Sequence, residues 1–128
     1  MKRIFSTRNI MNDLFRKRVP MYTGEMTLKS IFLFIRTYRM ALIEHDFIDT
    51  DKPDFHNFHD FVKDKFGFSE STAGWRRMIV AKTLGLNSNM DNWDWELLEE
   101  KEKKMTLEEH KASIELFFKL FDEFYDQT

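Results

Sequence analysis

Residues 27–47 constrain this chain most, because they hold the longest apolar-periodic run in the sequence. Leu28, Ile31, Ile35, Tyr38 and Leu42 recur at three- and four-residue spacing, which predicts an α-helix of about five or six turns. Phe32, Phe34, Ala41 and Ile43 widen the stripe, so the expectation is a helix buried on more than one side and served by several neighbours. Arg36, Arg39 and Glu44 interrupt the run and leave its apolar part too short and too charged to cross a bilayer.

The segments on either side repeat the same period. Ile10, Met11, Leu14 and Phe15 predict a short amphipathic helix over 7–17, ended by Val19 and Pro20, and Thr27 is placed to cap the long helix. Asp49, Thr50 and Asp51 ahead of Pro53 predict a helix over 53–65 whose face is Phe55, Phe58, Val62 and Phe66, closed by Gly67. Ser69 or Ser71 can cap the next helix, in which Trp75, Met78, Ile79 and Lys82 share one face, Arg76 and Arg77 the other, and Gly85 marks the end. Residues 87–95 show no period. The charged run from Glu96 to Lys104 predicts a solvated helix or a frayed linker. Thr106 and Glu109 then form a capping box, behind which Leu107, Ile114, Phe117, Phe118, Phe121 and Tyr125 predict an amphipathic helix packed antiparallel to the long helix or close beside it.

Fourteen Phe and eight Met against four Gly and two Pro favour helices around an aromatic core over a β-sandwich. The expected fold is therefore all-α, a single domain spanning 1–128, built as a bundle of about five helices around the long central one. The absence of cysteine removes disulfides, zinc–thiolate sites and thiol nucleophiles, and fits a reducing compartment. The first residues are basic but carry no apolar run long enough for a signal peptide, which makes the cytoplasm the expected location.

The formal net charge of -2 conceals a polarity along the chain. Residues 1–24 hold six Lys and Arg against one acid, whereas residues 90–128 hold five Lys against twelve Asp and Glu. Such a dipole is either internal, the first helix lying against the last, or it steers a partner.

Four constellations could carry chemistry. His56 and His59 lie on one helical face with Asp60 beside them, but a metal needs at least one further ligand, which His45 or His110 could supply; the plainer reading is two histidines flanking a phenylalanine stripe. Ser71, Ser88 and Ser113 have neither a nucleophile-elbow context nor a base, so hydrolysis has no support, and no pattern calls for a cofactor. Arg16, Lys17 and Arg18, together with Arg8, Arg76 and Arg77, could neutralise a phosphate backbone beside Trp75, although the acidic final third argues against a duplex binder. Asp91, Trp93, Asp94, Trp95, Glu96 and Glu99 form an acidic, aromatic segment in which the rings supply buried area and the carboxylates steer towards a basic protein.

Three separated strings complete the reading: Arg18-Val19-Pro20-Met21-Tyr22-Thr23-Gly24, then Phe66-Gly67-Phe68 followed by Ser71 and Trp75, then Leu116-Phe117-Phe118-Lys119-Leu120-Phe121-Asp122-Glu123-Phe124. Their order and spacing resemble a family of small bacterial proteins, many of them encoded among toxin and immunity genes. The resemblance implies a cytoplasmic protein that binds another protein, a toxin domain being the natural candidate, and brings no catalytic residues with it. The expectation is thus a non-enzymatic immunity protein that occludes a basic toxin domain through the acidic tryptophan segment, with a nucleic-acid-associated regulator as the alternative and a metal-dependent enzyme third.

Overall fold

The computed structural model describes residues 6–12, 16, 27–45, 53–68, 74–86 and 95–126, the side chain of Trp95 excepted. Among them lie six α-helices and no strand: α1 (Thr7–Ile10), α2 (Leu28–Glu44), α3 (Phe58–Phe66), α4 (Gly74–Thr83), α5 (Trp95–Lys103) and α6 (Leu107–Tyr125). A 3-10 turn at Phe55–Asn57 leads into α3. The all-α bundle expected from the periodicity is what forms.

Local chemistry fixes the helix ends. Thr27 and Ser30 exchange hydrogen bonds at the start of α2, and Thr106 and Glu109 do the same at the start of α6, so both long helices begin with reciprocal capping boxes. Gly67 ends α3 at φ 74°, in the left-handed region where a Cβ is unfavourable, and lets Phe68 fold back into the core. After α4, the Leu86 N–H donates to the Ala81 carbonyl and the Gly85 N–H to that of Lys82, the paired bonds of a Schellman end.

Two expected boundaries move. Pro53 does not open the third helix; Asp54 caps the 3-10 turn by accepting from the His56 N–H at 3.0 Å, and the α-helix proper starts at Phe58. The helix expected over 7–17 is α-helical only over Thr7–Ile10, widens to π geometry at Met11 and Asn12, and gives 3-10 geometry at Arg16; Leu14 and Phe15 lie outside the described residues. The capping candidates Ser69 and Ser71 also lie outside them.

The core is aromatic. Phe58, fully buried, packs edge-on against Trp75, Phe117 and Phe124 with ring centroids 5.4–5.7 Å apart, while Trp75 stacks on Phe117 at 5.1 Å. Such pairs add directional energy to the burial of the rings. This cluster ties α3, α4 and α6 together, with Met78, Ile79, Val80 and Ala81 of α4 closing the space between them.

The helix buried on more than one side is α4, not α2. Six of the ten residues of α4 are buried, Arg76 included, whereas α2 buries Leu28, Ile31, Ile35 and Leu42 and leaves Leu33, Met40 and Ile43 in solvent. The apolar period of α2 is real, but the bundle uses one face of it. α6 packs against α2, α3 and α4, in line with its expected place beside the long helix. Leu107, counted in its apolar face, is exposed because it sits in the first turn and overhangs the core. No helix among the described residues is long and apolar enough to cross a membrane.

Candidate functional site

The charge polarity of the sequence is spent partly inside the bundle. Arg16 donates to Asp122 of α6 at 2.7 Å and to the Phe118 carbonyl at 3.3 Å, its guanidinium 4.6 Å above the Phe118 ring. Arg8 lies 5.1 Å over the Tyr125 ring. The basic start therefore rests on the acidic end. Lys17 and Arg18 lie outside the described residues.

Arg76 and Arg77, the arginines of the nucleic-acid alternative, both pair with carboxylates of α5. Arg76 is 7% exposed and makes a bidentate contact with Glu102 of α5, its Nη1 donating to the two carboxylate oxygens at 2.5 and 2.6 Å. Its guanidinium also covers the Phe32 ring at 5.6 Å. Arg77 pairs with Glu99, one turn earlier on α5. Glu99 and Glu102 share a face at three-residue spacing, and that face meets the two consecutive arginines of α4.

This seam is what holds α5. Of its described side chains only Leu98 is buried, with Met105 following just beyond the helix, so apolar anchorage is small and the ion pairs set the helix in place. With the Glu99 and Glu102 side turned inward, Glu96, Leu97 and Glu100 face solvent, Leu97 at 53% exposure. The sequence reading assigned Glu99 to partner contact; the structure commits it to Arg77. Asp91, Trp93 and Asp94 lie outside the described residues, as does the side chain of Trp95, whose backbone opens α5.

The histidines are dispersed in role. His56 is exposed and His59 half-buried beside Phe58, and among the described residues no three His, Asp or Glu converge as metal ligands. Among the described carboxyls Asp54 is shifted: the His56 backbone N–H, helped by the Arg39 guanidinium at 3.3 Å, holds it below its ordinary 3.8 against the opposing effect of burial.

One feature escaped the sequence reading. An open cleft of about 310 Å³ lies between α2, the 3-10 turn and α4, floored by Phe32, Ile35, Phe55 and Trp75 and edged by Arg36, Met40 and Ile43. Ile43 was counted there in the buried stripe; its exposure, 70%, with 54% at Met40, is the signal of this surface. No protein-family model, curated protein or solved structure matches the chain.

Proposed function

We propose that this protein works by binding another protein rather than by catalysis, and that the outer face of α5, continuous in sequence with the Trp93–Trp95 segment, is the surface it uses. The observation that carries the reading is the seam: two ion pairs and Leu98 fix α5 on α4, which leaves Glu96, Leu97 and Glu100 presented on a held helix rather than on a frayed one. A fixed element keeps the ordering entropy of association small. Carboxylates beside an exposed leucine and two tryptophans suit a partner with a basic, partly apolar surface. In its specific form the partner is a toxin domain whose cationic active site the acidic face occludes, as the resemblance to proteins of toxin and immunity loci implies.

A photo-crosslinking residue placed at Leu97 in the full chain, with a control at Lys119 on the exposed side of α6, tests this in the native host. A single protein captured from position 97 and not from 119 supports the surface. Capture of nucleic acid in its place, or equal capture from both positions, removes it.

A further inference from the structure

Phe32, Arg36, Arg39, Met40 and Ile43 fall on one side of α2 at helical spacing and form the long wall of the cleft opposite Phe55 and Trp75. The floor is dry in character: Ile35, Phe55 and Trp75 are each 7% exposed or less and offer aromatic and aliphatic surface. The volume, about 310 Å³, falls at the small end of ligand pockets. Among the described residues the charged groups that line the cleft are the guanidinium groups of Arg36 and Arg39, with the His56 side chain beside them. Arg39 is already engaged, donating to Asp54 and lying 5.5 Å over the Phe55 ring. Arg36 is exposed and has no carboxylate partner among the described residues.

We propose that this cleft is a binding site for an amphipathic carboxylate, a medium-chain fatty acid in chemical class, distinct from the α5 surface. The carboxylate takes Arg36 at the mouth, with His56 across from it, and the chain runs along Met40 and Ile43 over the aromatic floor. Ile43 lies about 10 Å along the helix axis from Arg36, a span that an extended medium chain covers. The match is of two kinds at once: a cation with no carboxylate partner among the described residues where the ligand's charge falls, and exposed apolar side chains where its chain falls. An acid of this class would cover Met40 and Ile43, which otherwise stand in water. A neutral chain would gain the second match and forgo the first.

Isothermal titration of the full-length protein with decanoate, below its micelle concentration, and with decanol as the neutral isostere tests the site. Arg36→Gln and Ile43→Glu change exposed side chains and leave the packed core untouched. Decanoate is expected to bind saturably at one site; Arg36→Gln weakens it about tenfold and leaves decanol within about twofold, as loss of a charge-assisted contact requires. Ile43→Glu removes decanoate binding, because it sets a carboxylate in the wall the chain would follow. Absence of saturable decanoate binding overturns the proposal. So does equal weakening of decanoate and decanol by Arg36→Gln, or decanoate binding that Ile43→Glu leaves unchanged.

Discussion

Replacing Glu102 by Gln is the sharpest way to ask what the α4–α5 seam contributes. The Arg76 and Glu102 side chains are 8% and 14% exposed, so removing the carboxylate charge strands a guanidinium that water reaches poorly. Breaking one side of such a pair costs about 3–5 kcal/mol, because the remaining charge stays buried without compensation. The neighbouring pair gives the internal standard. Arg77 and Glu99 are 32% and 43% exposed, where solvent screens the interaction, and Glu99→Gln is expected to cost no more than about 1 kcal/mol. In urea, with a slope of about 1.5 kcal/mol/M, Glu102→Gln shifts the unfolding midpoint by about 2–3 M and Glu99→Gln by well under 1 M. Hydrogen exchange separates local from global effects: with so little apolar anchorage, α5 is expected to lose more protection in Glu102→Gln than α4 and α6, which fall only with the global stability. The double replacement Arg76→Met, Glu102→Leu removes both charges and is expected to recover most of the loss. Equal midpoints for Glu102→Gln and Glu99→Gln, or a double variant no better than the single, would refute the claim that a buried ion pair seats α5.

Three further outcomes follow from individual sites. Phe58→Ala empties the centre of the aromatic cluster and is expected to destabilise by about 3–5 kcal/mol, read from chemical denaturation. Thr106→Ala removes one half of the α6 capping box and is expected to cost about 1 kcal/mol, read from thermal melts, with Thr106→Ser retaining nearly all of it. Asp54 has a folded-state pKa below 3.8, so its contribution is complete above that value and is lost as pH falls through the folded pKa. Asp54→Asn is therefore expected to be less stable than the parent at neutral pH and to converge with it under acid; a gap that persists in strong acid would show that the carboxylate is not its source.

The parts of this molecule that were legible in the sequence are those set by neighbours in sequence. The Thr106–Glu109 and Thr27 caps, the Gly67 and Gly85 ends and, within the buried face of α6, Ile114, Phe117, Phe121 and Tyr125 each depend on a few adjacent residues, and each stands where the spacing placed it. What failed to be legible depends on pairing between distant segments. Periodicity shows that α2 is apolar on several sides but not that only one face is used, so Ala41 and Ile43 read as part of the buried stripe although they stand in solvent. Arg76 and Arg77 read as a basic face because their partners, Glu102 and Glu99, are more than twenty residues away on a helix whose docking no local signal encodes. For the same reason the pairing of Glu99 with Arg77 was not legible. A complementary hint did exist: two consecutive arginines and two glutamates one turn apart have matching geometry, but many other pairings in a chain this charged match equally well. The internal dipole was one of two open readings, and Arg16 on Asp122 realises it for that residue.

The central proposal is that the outer face of α5, with the acidic stretch that precedes it in sequence, binds a basic protein surface, and association kinetics test it most directly. The protein captured through position 97 should be measured against the parent and an Asp94→Lys, Glu96→Lys variant across a range of ionic strength, leaving Glu99 intact so that the seam survives. The account predicts slower association for the variant and a shallower dependence of its on-rate on salt, with the fold unchanged. An on-rate and a salt slope equal to those of the parent would contradict it.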